Sequence, residues 1–325
     1  MPVQMLPVSF PNQDGQRLFG IVHRPSDTAA IGTAVLLLSP GVKMRVAPHR
    51  LYNKIADRFV ALGYTVLRFD FHGLGDAEGD APETHLADLY AATQAGRYVP
   101  DTVAAMDWMQ RTYGFSSFVA AGLCGGALTG LLAAEHDERI ASLIALSIPV
   151  IIDGTGVDAA KYMTVAQLEL TRDAYLKRFR LWDAAAWHSW RRFLTGRSDY
   201  RQIVRSLVRP LRARRDRVVA GPTAETPPTD NTNPRFAPAF HRMASTSRPM
   251  LLVFAESDRL YAEFQAKFMT RHEAWIERYR PWFHVHVTPQ ANHIFSMDEW
   301  QRDALDQCAN WLQGVRRSAD ATAGR

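Results

Sequence analysis

The stretch Gly122-Leu123-Cys124-Gly125-Gly126 decides how this chain folds and where its reactive group lies. It has the form Gly-x-Ser-x-Gly, with cysteine in the place of serine. In that motif a nucleophile occupies a sharp, strained turn between a strand and a helix, and the positions two before and two after it must be small. Its outer glycines meet this demand, and apolar and small-residue runs flank it at 117–121 and 127–135. We therefore predict that Cys124 is a nucleophile and that Gly122 and Gly126 form its turn.

The start of the helix that follows Cys124 supplies two kinds of stabilisation. Its free N–H groups and its dipole favour a thiolate, and the Gly125 amide can donate to an oxyanion. The second oxyanion donor of such a site comes from the loop after the third strand, which predicts the amide of Val42 or of Gly41. The alternative for a free cysteine is a small buried apolar residue, and Cys308, on the apolar face of the last predicted helix, fits that alternative.

A base and an acid follow in the chain order that suits this nucleophile. His293 lies between the last predicted strand and the last helix, and Asp258 follows the preceding strand. Active sites in open α/β sheets form at the carboxyl ends of strands, where both residues lie. We predict His293 as general base and Asp258 as the acid that orients it. Alternatives remain: Asp258 could be a helix N-cap, with Glu256 or Asp153 as the acid.

Strands alternate with helices along most of the chain, after an N-terminal hairpin at 8–22. Strands are predicted at 33–38, 64–69, 117–121, 140–150, 250–254 and 283–287, and helices at 52–62, 103–113, 127–135, 260–279 and 297–312. This rhythm predicts an α/β fold with a mostly parallel sheet and helices on both faces.

The rhythm breaks between residues 151 and 247. This segment is rich in arginine, and a Pro/Thr/Asn-rich stretch at 221–238 has no hydrophobic periodicity. We predict an inserted helical lid with a flexible connector at 151–247. The core is then built from 1–150 and 248–316, with a disordered tail at 317–325.

Composition limits the function classes. The chain has 325 residues, 47% of them hydrophobic, and a formal net charge of +5. Two cysteines cannot form a disulfide framework or a paired zinc motif, and we expect no metal or cofactor. The first 20 residues lack the pattern of a signal peptide, and the longest apolar runs are too short to span a bilayer. We expect a cytoplasmic protein whose partner is a small molecule, and no nucleic-acid binding.

A further motif points to a family. The run from Arg68 to Asp76, Arg-Phe-Asp-Phe-His-Gly-Leu-Gly-Asp, resembles the Phe-Asp-x-Arg-Gly-x-Gly-x-Ser segment after the fourth strand of α/β hydrolases. Together with the 41–50 loop and the cysteine turn, the chain is most similar to exosortase-A-system-associated hydrolases, over residues 1–150 and 248–315. The resemblance implies a Cys-His-Asp triad like that of dienelactone hydrolases and polyester synthases. It implies ester or thioester hydrolysis through a thioester acyl-enzyme.

Other functions remain open from the sequence. An acyltransferase would use the same three residues and a non-water acceptor. The arginines of 172–217 could bind an anionic acyl carrier or coenzyme A thioester, although we prefer a solvated helix face. A dinucleotide-binding oxidoreductase is disfavoured because Gly73, Gly75 and Gly79 do not have the required spacing and do not follow the first strand. A non-catalytic interaction module would not need the three residues together.

Overall fold

Eight strands form one sheet in the computed structural model, which describes residues 3–26, 31–83, 85–153 and 230–323. The strands are β1 (Val3–Pro11), β2 (Arg17–Pro25), β3 (Thr33–Leu38), β4 (Thr65–Phe69), β5 (Ser117–Leu123), β6 (Ile140–Leu146), β7 (Met250–Ala255) and β8 (Phe283–Thr288). Their spatial order is β1-β2-β4-β3-β5-β6-β7-β8. β1 and β2 form an antiparallel hairpin, β2 pairs antiparallel with β4, and all later pairs are parallel. The predicted hairpin and mostly parallel sheet are confirmed.

Helices cover both faces of the sheet, as predicted. They are α1 (Leu51–Ala61), α2 (Leu86–Gln94), α3 (Val99–Tyr113), α4 (Gly125–His136), α5 (Phe236–Ser245), α6 (Arg259–Phe264), α7 (Glu273–Tyr279) and α8 (Asp298–Ala323). α1 and α8 pack on one face, and α2 to α7 contribute to the apolar core on the other. The central strands are buried on both faces, which explains why they are continuous apolar runs in the sequence.

The described residues depart from the predicted boundaries at two helices. The predicted connector includes α5, whose apolar residues 236, 239, 240, 243 and 244 are buried in the core. Their spacing is that of one helix face, so the core resumes before residue 248. The last helix continues to Ala323, so most of the predicted disordered tail is helical. No proline interrupts it, and its last residues include three alanines, which favour helix.

Two further helical segments differ from prediction. The predicted single helix at 260–279 consists of α6, a π-helical turn at Gln265–Met269, a 3₁₀ turn at Thr270–His272 and α7. α2 was not predicted, because its apolar pattern is weak and it contains no strong start signal.

The arginine-rich part of the insertion lies outside the described residues. The lid at 151–247 therefore remains a prediction for all but its two ends. An antiparallel bridge between Ile151 and Thr232 joins those two ends. Among the described helices, none combines the length and apolar character that crossing a bilayer would require.

Candidate active site

Cys124 occupies a strained turn between β5 and α4. Its φ is +55° and its ψ is −120°, a conformation that non-glycine residues rarely adopt and that tends to mark functional sites. Hydrogen bonds hold the backbone on both sides. The Cys124 N–H donates to the Leu146 carbonyl at 2.8 Å, and its carbonyl accepts from the Leu128 N–H at 3.1 Å. The neighbouring strand and the first turn of α4 therefore fix the position of the half-buried thiol.

The glycines of the motif are required by close packing. A Cβ added to Gly122 would lie 2.5 Å from the backbone of Gly126, and one added to Gly126 would lie 2.3 Å from the Leu38 carbonyl oxygen. Both distances are too short for any side chain. A Cβ on Gly125 would lie 2.7 Å from the Cα of Gly41. The loop after β3 therefore lies directly against the turn, as an oxyanion loop must.

His293 and Asp258 meet at the carboxyl end of the sheet. The His293 Nδ1 and the Asp258 Oδ2 are 2.7 Å apart, and the other carboxylate oxygen accepts from the Leu260 N–H at 3.2 Å. Asp258 is therefore the N-cap of α6 as well as the hydrogen-bond partner of His293. Its side chain is 5% exposed and that of His293 is 37% exposed. The carboxylate is thus shielded while the imidazole remains accessible.

Opposing effects set the pKa of His293. Burial lowers it, but the hydrogen bond to Asp258 and the electrostatic interaction with the Cys124 side chain outweigh burial and raise the pKa to about 10. The groups around the imidazole thus favour its protonated form.

The two candidates for the second oxyanion donor differ in their hydrogen bonds. The Gly41 N–H donates to the Ser39 carbonyl at 2.8 Å and is already engaged. Among the described residues no acceptor lies within reach of the Val42 N–H, nor of the Gly125 N–H at the start of α4. Val42 and Gly125 thus offer two free amides on either side of the contact between the loop and the turn.

The alternative acids have other partners. Asp153 forms an ion pair with Arg259 at 2.8 Å. Among the described residues it makes no hydrogen bond to His293. The Glu256 carboxylate accepts from the Gln290 N–H at 2.7 Å. Of the three carboxylates that the sequence offered, Asp258 is the one in contact with His293.

Tyr90 borders the site and was not identified from the sequence. It lies on α2, half-buried, and its Cε1 would be 3.8 Å from a Cβ on Gly41. Burial raises its pKa, and the charges of Cys124 and Asp153 raise it further. A tyrosine in a weakly patterned helix gives no signal in the sequence, because its place depends on how α2 packs. Among the described residues, no cluster of three or more His, Cys, Asp or Glu side chains could hold a metal ion.

Comparisons with known proteins support the fold. A family model described as "Alpha/beta hydrolase family" matches residues 36–309, while no curated protein sequence matches the chain. An esterase from Pyrococcus furiosus superposes with a TM-score of 0.57 at 15% identity, over 95% of this chain and 90% of its own. GrgF, an α/β hydrolase from Penicillium sp., superposes with a TM-score of 0.53 at 18% identity, over 98% and 99% of the two chains. At such identities the structural likeness supports the fold.

Proposed function

The chain belongs to the alpha/beta hydrolase family, and from that premise we propose that it hydrolyses ester or thioester bonds with Cys124 as its nucleophile. In this proposal His293 is the general base and Asp258 orients it. The amides of Gly125 and Val42 stabilise the oxyanion. The observation that carries the proposal is the imidazole of His293, which is hydrogen-bonded to Asp258 and interacts electrostatically with Cys124 in its strained turn.

The reaction would proceed through a covalent intermediate. His293 takes the thiol proton, and the thiolate attacks the acyl carbonyl to give a tetrahedral oxyanion. The oxyanion collapses, the bond to the leaving alkoxide or thiolate breaks, and His293 returns the proton to that group. Water then gives a proton to His293 and attacks the thioester. The carbon–sulfur bond breaks, the carboxylic acid leaves, and Cys124 is regenerated.

Cysteine rather than serine narrows the substrate class. A thiolate is a strong nucleophile and also a good leaving group, so attack on an amide tends to reverse before the amine departs. Thioesters and activated esters have better leaving groups and suit this nucleophile. We therefore place small acyl thioesters, including those bound to a carrier or coenzyme A, and activated esters first. The finer resemblance to exosortase-A-system-associated hydrolases, and a cytoplasmic location, remain predictions.

Acyl transfer is the second candidate. The acyl group on Cys124 would be a thioester, which keeps its reactivity toward amines, alcohols and thiols as well as water. The same residues would then serve a different acceptor. The two functions differ in the fate of the acyl-enzyme.

Intact-mass spectrometry tests both functions. The protein is incubated with p-nitrophenyl esters and acyl thioesters of increasing chain length, and the mass and the released acid are followed. We expect a transient mass increase equal to one acyl group on the wild-type protein and on Cys308→Ala, none on Cys124→Ala, and slower turnover by Cys124→Ser. Equal turnover by Cys124→Ala would contradict the proposal. A stable acyl-enzyme, discharged by an added amine or alcohol faster than by water, would favour acyl transfer.

A further inference from the structure

A buried tyrosine joins the two strands that end at the reactive centre. The Tyr52 side chain comes from α1 and is fully buried. Its hydroxyl donates to the Leu38 carbonyl at 2.7 Å and accepts from the Leu123 N–H at 2.7 Å. Leu38 is the last residue of β3, and Leu123 immediately precedes Cys124.

The hydroxyl takes the place of a bond within the sheet. β3 and β5 are paired in parallel up to Leu38 and Gly122, so the next bond of the ladder would join the Leu38 carbonyl to the Leu123 N–H. A direct bond of this kind is about 2.9 Å long. With the hydroxyl inserted between donor and acceptor, the two strand ends lie further apart while both polar groups remain satisfied.

The separated strand ends lead to the two halves of the proposed oxyanion hole. Beyond Leu38 the chain carries the Val42 amide, and beyond Leu123 it carries Cys124 and the Gly125 amide. The spacing between these amides and the sulfur therefore depends on how the strands diverge. Burial raises the pKa of Tyr52 well above its ordinary value, and the charge of Cys124 raises it further. The hydroxyl thus stays protonated and serves as a fixed bridge.

We propose that Tyr52 is a positioning residue that sets the distance between the nucleophile and the oxyanion donors by bridging the ends of β3 and β5. This inference rests on the proposed function. It assigns Tyr52 no contact with the substrate. Its effect should therefore appear in the steps that use the oxyanion hole and be absent from steps that use the thiol alone.

Tyr52→Phe separates these two kinds of step. Turnover of an acyl thioester requires the oxyanion hole, whereas alkylation of Cys124 by iodoacetamide requires the thiol but forms no oxyanion. We expect kcat per active site to fall by about 10- to 100-fold, as small misplacements of reacting groups do. The KM and the alkylation rate of Cys124 should stay within about threefold of wild type. Active sites are counted by the fraction alkylated at Cys124 alone, because unfolded protein also exposes Cys308 and is labelled at both thiols.

Tyr98→Phe is the matched control. Tyr98 is also fully buried, but its ring stacks on Phe71 at a centroid distance of 4.5 Å, and its hydroxyl makes no hydrogen bond to Leu38 or Leu123. We expect its kcat to match that of the wild type. The inference is overturned if Tyr52→Phe keeps its kcat, or if kcat and alkylation fall together. A wild-type protein that never becomes acylated would overturn the proposed function instead.

A second variant tests the same role of Tyr52 if Tyr52→Phe folds poorly. Site-specific incorporation of 4-aminophenylalanine in place of Tyr52 keeps a donor and a lone pair at the para position. We expect this variant to retain more of the wild-type kcat than Tyr52→Phe does. If Tyr52→Phe does not fold, we expect the 4-aminophenylalanine variant to fold and to have a kcat below that of the wild type. A folded variant whose alkylation rate falls in proportion to kcat would contradict the proposed role.

Discussion

The described part of the chain contains two groups made of a cysteine, a histidine and an aspartate, and they differ in their place in the fold and in the surroundings of the cysteine. The first, here called the loop group, lies at the carboxyl end of the sheet and consists of Cys124, His293 and Asp258. The second, the helix group, lies between β8 and α8 and consists of His286, Asp303 and Cys308.

The histidine–aspartate pairs of the two groups are alike in geometry. His286 Nε2 lies 2.7 Å from Asp303 Oδ2, the same distance that separates His293 from Asp258. Cys308 lies near enough to Asp303 for that charge to raise its pKa. A short histidine–aspartate hydrogen bond with a cysteine nearby is therefore not sufficient to indicate a catalytic site.

The cysteines make the difference. Cys308 is 1% exposed and lies inside α8, where the helix uses its backbone N–H groups. Burial above all, and then Asp303, raise the pKa of its thiol to about 12. Cys124 instead precedes the first turn of α4, whose N–H groups are free, and interacts electrostatically with the His293 imidazole. Accessibility and free backbone donors, which the helix group lacks, distinguish a candidate nucleophile from a core residue.

Removal of each histidine gives the largest expected contrast. We expect His293→Ala to lower kcat/KM for an acyl thioester by about 10³-fold or more, because the thiol loses its base. His286→Ala should change it by less than about threefold. Steady-state kinetics on folded protein, checked by circular dichroism, measure both. Similar losses of kcat/KM in the two variants would contradict the assignment of catalysis to the loop group alone.

Alkylation compares the two thiols directly. A thiol with a pKa of about 12 is ionised in roughly one molecule in 10⁵ at pH 7, so we expect iodoacetamide to label Cys124 at least about 10³ times faster than Cys308. Because the pKa of His293 is raised to about 10, its cation is present at neutral pH and is lost as the pH rises through about 10. Cys124 should therefore react already at pH 6–7, and His293→Ala should slow it there.

Peptide mass mapping of the labelled protein measures both rates. The native fold must be retained, since unfolding would expose Cys308. Predominant labelling of Cys308 would contradict the assignment, and a Cys124 rate that is unaffected by His293→Ala would show that the cation does not stabilise its thiolate.

The aspartates should give a smaller contrast. Asp258→Asn keeps the shape of the side chain but removes the charge that orients and stabilises the His293 cation, and we expect kcat to fall by about 10²-fold or more. Asp303→Asn should leave kcat within about threefold. The same assay applies to both. An Asp258→Asn variant as active as Asp303→Asn would point to a Cys-His pair that works without an orienting acid.

One glycine in each region tests how tightly that region is packed, and its substitution has the smallest expected effect. Gly126→Ala forces a Cβ to within 2.3 Å of the Leu38 carbonyl oxygen, and we expect a loss of about 1–3 kcal/mol in the free energy of unfolding. Gly314 in α8 has open space around it, so Gly314→Ala should add about 0.5–1 kcal/mol. Urea unfolding followed by fluorescence measures both. A neutral Gly126→Ala would mean that the turn can relax, contrary to its packing.

The elements with strong local patterns could be predicted from the sequence. The predictions of the hairpin, the central strands and α4 were confirmed. The apolar runs and glycines of each segment are compatible with a strand or with a helix, but not with both. α2 was missed, and α5 was assigned to the connector. The apolar pattern of α2 is weak, and the burial of both helices depends on contacts with distant elements, such as that of α5 with α4. Tyr90 escaped notice for the same reason.

The sequence by itself determined the order of strands and helices and the glycine-flanked turn that carries Cys124, because these depend on local periodicity and on backbone sterics. It also singled out His293 and Asp258 by their places after strands. Only the tertiary structure decided which carboxylate contacts His293, which amide of the loop after β3 is free, and that Tyr52 bridges two strand ends. Those facts depend on distances between residues far apart in the chain, and they follow from packing, which no local pattern encodes.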